Sequence, residues 1–457
     1  MRVFWFLLVT GLTWVGTSRA AESRNLIGLV TSDSWTYWSP RPDLEHEHAV
    51  VQRDGASSLM LRARDFTGYG YWLTRVAGVK PGSFYHVEAL YQTDGIHEDT
   101  GGVFAVISWY SEGANGRELQ RDYLDDEEQA GTSMRMLRTV QAPAGAAVAR
   151  IELGLRRTNS GTVYWREPQL NEVPAPAPRK VRIATTRIVP IAPASMPANT
   201  KMMAEILEKV GAEKPDVVLL SENFNTRGVR MPLAEKAQTI PGPLTEMLSA
   251  KAKKFSMNVI TTMSERDGKL FHNTAVWIDR TGRIAGKYRK VHLTIGEMES
   301  GLTPGSDYPV FETDFGRIGI VTCWDNWFLE PMRILRLRGA EMVFMPLAGD
   351  GDEAHWESVW PARAIDNGVY LVTSSTVGET PSRIINPKGA VLAETKERFG
   401  YTVAEIDLND EWRLRYLSVG NGLGQAKSLY LRERRPDTYA PFLHDAEPHP
   451  ASARPGT

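Results

Sequence analysis

A proline-rich segment divides the chain into two parts whose residue patterns differ. Residues 174–179 read Pro-Ala-Pro-Ala-Pro-Arg. Proline fixes φ and has no backbone N–H, so this segment is expected to be an extended spacer outside any packed core. The chain of 457 residues is long enough for two or three domains. We therefore predict one domain at 22–173 and a second at 180–441, joined by the linker 174–179.

The part before the linker alternates apolar and polar residues with a period of two. Three runs show this alternation, and Gly, Pro, Asn or Asp residues separate them: 58–63, 85–91 and 149–155. The pattern predicts an antiparallel β-sandwich. The order of three further motifs resembles that of jelly-roll modules of the carbohydrate-binding type: 79–85, 142–146 and 161–165. This resemblance implies that a glycan is a candidate partner of the domain.

Aromatic residues are dense in this first part. They include Trp35, Tyr37, Trp38, Tyr69, Tyr71 and Trp72. Flat rings stack on sugar faces, but they are equally common in sandwich cores and in cross-strand pairs. We favour packing for these residues and keep glycan binding as the alternative.

After the linker, apolar strands alternate with amphipathic helices, which is typical of a layered α/β domain. The predicted strands are 181–184, 216–220, 258–263, 271–278, 317–321, 342–345, 370–373 and 401–406. The predicted helices are 199–210, 243–254 and 329–338. The polar, proline-rich residues 442–457 are expected to form a flexible tail.

The N-terminal residues 1–21 have the pattern of a secretory signal peptide. Arg2 precedes an apolar run at 3–15, and the small residues Ser18 and Ala20 follow it. The run is shorter than the ~20 residues that a membrane-spanning helix needs, so we predict export to the periplasm or the extracellular space and no stable membrane span. The net charge of −2 indicates no nucleic-acid partner.

Cys323 is the single cysteine of the chain. An exported protein usually has cysteines in disulfide pairs, so a lone one is either an inert buried residue or a reactive thiol. Three candidate residues each come directly after a segment expected to end a strand. Cys323 follows 318–322, Glu222 follows 217–221, and Lys290 follows 284–289.

In layered α/β sheets, chemistry collects beyond the carboxyl ends of the strands. A thiol nucleophile needs a base and a cation for the developing oxyanion. Considered alone, Glu222 would be interpreted as a solvated carboxylate, and Lys290 would be interpreted as a surface salt-bridge residue. Together with Cys323 they predict a catalytic site, in which a helix N-terminus beside the sulfur would favour the thiolate.

The sequence around these residues resembles that of the nitrilase, or carbon–nitrogen hydrolase, superfamily. The matching motifs are Leu-Leu-Ser-Glu at 219–222, Gly-Lys-Tyr-Arg-Lys-Val-His-Leu at 286–293 and Val-Thr-Cys-Trp-Asp at 321–325. Between the last two, the family has a second glutamate ahead of a Pro-Gly turn. Glu297 and Glu299 both fit that position, and we favour Glu299.

The resemblance extends from about residue 180 to about residue 441, and it implies a four-layer α-β-β-α sandwich without a cofactor. Glu222 would be the general base, Cys323 the nucleophile, and Lys290 with the backbone N–H of Trp324 the oxyanion site. His292 and Trp327 are further candidates for substrate binding. The expected reaction is hydrolysis of a small non-peptide amide through a thioester. Nitriles and N-carbamoyl compounds are the alternative substrates, and a homodimer is expected by analogy.

Two other enzyme classes fit the sequence less well. A cysteine protease with His292 as the base would place these residues in the opposite order to papain-like enzymes, and His292 is more simply a loop-packing residue. The histidines form neither the His-x-x-x-His nor the His-Glu-x-x-His spacing of zinc hydrolases, so no metal is predicted. A third possibility is a glycan-binding protein with an inactive hydrolase domain, whose affinity for sugar would not depend on Cys323.

Overall fold

The computed structural model describes residues 25–96, 101–113, 116–349, 354–415 and 422–440. The chain divides into two compact units, and the main boundary between them lies after Ala175, within the linker. The predicted signal peptide 1–21 and the predicted tail 442–457 lie outside the described residues. Among the described helices, none combines the length and the apolar character needed to cross a lipid bilayer.

The described chain before the linker is all-β. Its strands are β1 Thr36–Trp38, β2 Glu47–Arg53, β3 Ala56–Arg62, β4 Tyr69–Ala77, β5 Phe84–Asp94, β6 Val103–Tyr110, β7 Glu118–Tyr123, β8 Asp126–Ala130, β9 Ser133–Gln141, β10 Val148–Arg156 and β11 Thr162–Val173. One sheet runs in the order β1-β4-β10-β6-β7, and the other runs β2-β3-β11-β5-β9-β8.

Both sheets contribute to one core, in which Trp109 of β6 and Trp165 of β11 are fully buried. The predicted sandwich is confirmed. Three of the aromatic residues noted in the sequence, Trp35, Tyr71 and Trp72, are buried as the packing interpretation expects, whereas Trp38 is exposed.

The second unit contains two six-stranded sheets. The strands of the first are β12 Lys180–Ile188, β13 Val217–Leu219, β14 Asn258–Asp267, β15 Leu270–Ile278, β16 Ile284–Arg289 and β23 Phe399–Asp407. The strands of the second are β17 Val310–Thr313, β18 Gly316–Ile320, β19 Met342–Pro346, β20 Tyr370–Ser374, β21 Ser382–Ile385 and β22 Val391–Thr395. Two short strands, β24 Arg413–Arg415 and β25 Leu423–Gln425, pair with each other. The helices are α1 Met196–Ala212, α2 Leu233–Lys236, α3 Pro243–Phe255, α4 Ile295–Glu299, α5 Glu330–Leu337, α6 Trp356–Asn367 and α7 Ala426–Arg432.

The central strands of each sheet are parallel. The order of the layers can be read from the neighbours that bury each face of a strand. In β12-β13-β14 and in β18-β19-β20, neighbouring strands run parallel. Val217 and Leu219 pack in a core shared with the second sheet, whereas Val218 packs with residues of α1 and α3. Successive side chains of a strand point to opposite faces, so β13 lies between the second sheet and a helical layer. Leu335 of α5 and Trp360 of α6 pack on the second sheet. The predicted α-β-β-α sandwich is therefore confirmed.

Candidate active site

Three of the side chains predicted to be catalytic line one cavity of about 430 Å³. Glu222 comes shortly after β13, Lys290 directly follows β16, and Cys323 comes three residues after the end of β18. Residues that lie far apart in sequence are brought together because the strands that precede them end near the same point. The structure therefore places Glu222, Lys290 and Cys323 in a single pocket.

Lys290 lies between two carboxylates. Its ammonium donates to Oε1 of Glu222 at 3.1 Å and to Oε1 and Oε2 of Glu297 at 3.0 and 2.8 Å. The residue is only 2% exposed. Burial opposes its charge, but attraction to Glu222, Cys323 and Glu297 is stronger, so the pKa of Lys290 lies well above its usual value. Lys290 is therefore a cation throughout the ordinary pH range.

The preference for Glu299 as the second glutamate is wrong, because Glu297 makes the contact with Lys290. Glu299 is exposed at the end of α4. Side chains two positions apart on a helix differ by about 200° in direction, so only one of the two glutamates can face the lysine. A capping box selects Glu297: its Oε2 accepts from the backbone N–H of Thr294 at 2.9 Å, and its own N–H donates to Thr294 Oγ1 at 3.2 Å.

Asn273 is a site residue that the sequence analysis missed. It is 1% exposed, and its Nδ2 donates to Oε1 of Glu222 at 2.8 Å and to Oε1 of Glu297 at 2.9 Å. One amide group thus fixes the separation of the two carboxylates. The sequence signal that could have identified Asn273 is its polar amide side chain within the largely apolar strand β15.

Glu222 is held in its ionised form. Burial alone would raise its pKa, but the charges of Lys290 and Arg227 and the hydrogen bonds from Asn273 and Lys290 outweigh burial, so the pKa of Glu222 lies below its usual value. Both hydrogen bonds go to Oε1, and Oε2 lies 3.8 Å from Nη2 of Arg227. A carboxylate in this state can accept a proton.

Cys323 begins a 3-10 helix, Cys323–Trp327, and has a positive φ of 47°. Asp325, which is fully buried, fixes this turn by accepting from the backbone N–H of Thr322 and of His292, each at 2.9 Å, and from the hydroxyl of Tyr288 at 2.6 Å. The first N–H groups of a helix lack an intrahelical acceptor. Trp324, which follows Cys323, contributes one of these N–H groups.

The thiol of Cys323 is protonated at neutral pH. Burial and the charge of Glu222 raise its pKa to about 12, even though Lys290 and the backbone N–H of Ala348 act in the opposite direction. The expectation that a helix N-terminus would favour the thiolate is wrong for this site. One short 3-10 turn does not offset the loss of water and the nearby carboxylate. The sulfur needs a base at the moment of attack.

The three residues predicted for oxyanion or substrate binding do not place their side chains in the cavity. His292 Nδ1 lies 3.0 Å from Asp325 Oδ1, and its ring stacks on Phe328 at 4.0 Å, as expected for the simpler loop-packing interpretation. Trp324 and Trp327 are 39% and 37% exposed.

The side chain of Trp327 instead borders a separate space beside Cys323, which Trp356 and Trp360 also line. Its volume of about 10 Å³ is too small for a substrate. A role for Trp324 is therefore limited to its backbone N–H. Within the described ranges, no group of three or more His, Cys, Asp or Glu side chains is arranged to hold a metal ion.

The described fold and site can be compared with known proteins. The family model for carbon-nitrogen hydrolases matches residues 182–416, slightly more than half of the chain. A probable nitrilase from Schizosaccharomyces pombe is 33% identical over 216 residues, which make up 44% of this chain and 75% of that protein. The omega-amidase NIT2 from Homo sapiens is 29% identical over 262 residues, which make up 53% of this chain and 91% of that protein.

Two solved structures are also similar. Saccharomyces cerevisiae Nit3, described as a member of branch 10 of the nitrilase superfamily, is 26% identical, with a TM-score of 0.46 and coverage of 50% of this chain and 90% of that chain. A carbon-nitrogen hydrolase from Helicobacter pylori G27 is 25% identical, with a TM-score of 0.45 and the same coverage.

Proposed function

Since this chain belongs to the carbon–nitrogen hydrolase, or nitrilase, superfamily, we propose that it hydrolyses a small non-peptide amide by way of a thioester on Cys323. Its enzyme class is that of hydrolases acting on carbon–nitrogen bonds other than peptide bonds. The observation that carries the proposal is the placement of Glu222, Lys290 and Cys323 around one cavity of about 430 Å³.

In the first step, Cys323 attacks the amide carbon while Glu222 takes the thiol proton. The pKa of the thiol is about 12 and that of Glu222 lies below its usual value, so a separate thiolate and carboxylic acid would be rare. Proton transfer therefore accompanies formation of the carbon–sulfur bond. Lys290 and the N–H of Trp324 stabilise the oxyanion, and loss of one such donor typically costs ~10²–10³ in rate.

In the second step, Glu222 returns its proton to the leaving nitrogen, and ammonia or an amine departs to leave the thioester. A water molecule then attacks the thioester carbonyl and gives up its proton to Glu222. The acid leaves and the thiol is restored. Glu297 and Asn273 act as positioning residues, because both hold the carboxylate–ammonium pair in place.

The experiment that tests the proposal is intact-mass detection of the acyl-enzyme. A panel of small amides, nitriles and carbamoyl compounds is mixed with the protein and quenched in acid within seconds. We expect ammonia release and a mass increase equal to the acyl group, located on the peptide that contains Cys323. Turnover without a mass adduct in the quenched wild type, and without a hydroxamate when hydroxylamine is added to trap the acyl group, would contradict the thioester.

The pH dependence of the reaction separates an activated thiol from a free thiolate. Because Glu222 must be ionised and its pKa lies below its usual value, we expect kcat/KM to fall only in acid strong enough to protonate this carboxylate, below the range of an ordinary glutamate. Because the pKa of Cys323 is about 12, kcat/KM stays level from about pH 6 to 9. The thiolate can be titrated by its ultraviolet absorbance, with Cys323→Ala as the blank. Absorbance and rate that rise together near pH 8 would show that a free thiolate is the nucleophile.

We also propose that the protein is exported, on the support of the signal-peptide pattern at 1–21. N-terminal sequencing of the mature protein tests this, with cleavage expected after Ala20 or Ala21. A homodimer and a glycan partner of the first unit stay predictions.

A further inference from the structure

Glu222 and Cys323 come from different sheets of the second unit. Glu222 follows β13 of the first sheet, whereas Cys323 follows β18 of the second. The hydrogen bonds to the Glu222 carboxylate come from Asn273 of β15 and Lys290 after β16, and both strands belong to the first sheet. The distance between the base and the thiol therefore depends on what joins the two sheets.

Apolar side chains from both sheets pack together in one core. Ile183 of β12 and Leu219 of β13 belong to this core, as do Phe344 of β19 and Val372 of β20. Hydrophobic packing stabilises the contact but has no preferred direction. It therefore does not by itself fix how far one sheet is displaced against the other, whereas buried hydrogen bonds, which depend on distance and angle, do so.

Next to Glu222, buried hydroxyl groups form hydrogen bonds between the two sheets. Ser221, which directly precedes Glu222, is fully buried. Its Oγ donates to the backbone oxygen of Ser375 at 2.7 Å and lies 2.9 Å from Oγ of Ser374, the last residue of β20. Oγ of Ser374 donates in turn to the backbone oxygen of Thr186 in β12 at 2.6 Å. These contacts fix the residue before the base against the second sheet.

The contacts of Ser221 lead on to the thiol. Leu347, which directly follows β19, donates its backbone N–H to the backbone oxygen of Ser374 at 2.9 Å. The backbone N–H of the next residue, Ala348, acts on the sulfur of Cys323 as a hydrogen-bond donor that lowers the pKa of the thiol. A short chain of polar contacts therefore connects the residue before the base with the nucleophile.

We propose that Ser221 is a positioning residue, whose hydrogen bonds between the sheets hold Glu222 at the distance from Cys323 at which it can take the thiol proton. This inference rests on the proposed function, in which Glu222 is the base. Lys290 holds Oε1 at the tip of the Glu222 side chain, and Ser221 holds the backbone at its other end.

The proposed role is indirect. Ser221 is fully buried and is not among the described residues that line the Cys323 cavity, so it does not touch a substrate bound there. Proton transfer needs the acid and the base within hydrogen-bonding reach. A displacement of about 1 Å can cost about 10²-fold in rate. Loss of the Ser221 hydroxyl is therefore expected to affect the chemical step more than substrate binding.

The first experiment compares Ser221→Ala with Thr185→Val, using the amide of the panel that the wild type hydrolyses fastest. Thr185 of β12 is a matched control: it is fully buried, and its Oγ1 donates to the backbone oxygen of Thr373 in the second sheet at 2.6 Å. We expect both variants to lower the melting temperature by about 2–6 °C. Ser221→Ala should lower kcat by about 10- to 100-fold and change KM less than threefold, whereas Thr185→Val should keep kcat within twofold of the wild type.

Ser374→Ala provides a second variant that leaves Ser221 in place. It removes one of the two contacts of the Ser221 hydroxyl, so kcat should fall by about three- to tenfold. Similar kcat values in Ser221→Ala and Thr185→Val would overturn the inference, as would a rise in KM without a fall in kcat. If Ser221→Ala does not fold, a Ser374→Ala protein with the kcat of the wild type overturns it.

The second experiment measures how fast iodoacetamide alkylates Cys323, the single cysteine, at neutral pH. Alkylation requires Glu222 to take the thiol proton, so Ser221→Ala should slow it about tenfold. In a Glu222→Gln background the same change should slow it less than twofold, because no base is left to position. Equal slowing in both backgrounds would overturn the inference. Failure of the proposed function gives a different result, in which the wild type releases no ammonia and forms no acyl adduct with any amide.

Discussion

Replacing Cys323 with alanine is expected to lower the release of ammonia by roughly 10⁴-fold or more, because no thioester can form without the sulfur. The melting temperature should change by no more than about 2 °C, since the substitution removes a single heavy atom that borders a cavity. Ammonia assays and calorimetry on the same preparations measure both effects.

Cys323→Ser is the control for this change. It keeps a side chain of similar size but supplies a much weaker nucleophile, so it should be nearly as inactive as the alanine variant. Ammonia release at the wild-type rate by Cys323→Ala would remove the mechanism. A large fall in the melting temperature would mean that the loss of activity reports unfolding.

Lys290→Met is expected to affect activity and stability together. The methionine cannot stabilise an oxyanion, so kcat/KM should fall at least 10²–10³-fold. The variant also leaves the carboxylates of Glu222 and Glu297 without their cation, and their side chains are only 4% and 19% exposed. Removing one partner of a buried ion pair typically costs about 3–5 kcal/mol of unfolding free energy. Urea denaturation at neutral pH measures this loss.

A double variant separates the two effects of Lys290. Adding Glu222→Gln to Lys290→Met removes the more deeply buried of the two unpaired charges, so part of the lost unfolding free energy should return while activity stays absent. The stability defect of the single variant should also shrink in acid, because protonation of Glu222 neutralises a buried charge that has lost its lysine. A Lys290→Met protein as stable as the wild type at neutral pH would show that the buried pairing contributes no net stability.

The parts of the fold and site that the sequence predicted are those determined by local pattern. Glu222, Lys290 and Cys323 each come within a few residues of the end of a strand, and these strand ends meet at one cavity. The helix α6 was missed because Pro361 lies in its interior, where proline normally ends a helix. Packing of Trp356 and Trp360 in the core compensates for the lost backbone hydrogen bond.

The remaining errors concern side chains whose direction changes when a helix or turn begins one or two residues earlier or later. The choice between Glu297 and Glu299 depended on where α4 begins, and helix boundaries are the least certain part of a sequence prediction. Trp327 is close to Cys323 in sequence, but the 3-10 turn between them directs it away from the cavity. Asn273 was missed because its contacts cross between elements that are distant in sequence.

The positive φ of Cys323 sets a limit on how this protein can be engineered. Glycine adopts such a backbone freely, whereas a residue with a Cβ atom gives up about 1–2 kcal/mol there. Any screen that rewards heat resistance alone will therefore favour glycine at the one position where sulfur is required. Directed evolution of a more thermostable enzyme must therefore measure turnover in every round, because selection for stability alone would enrich inactive variants.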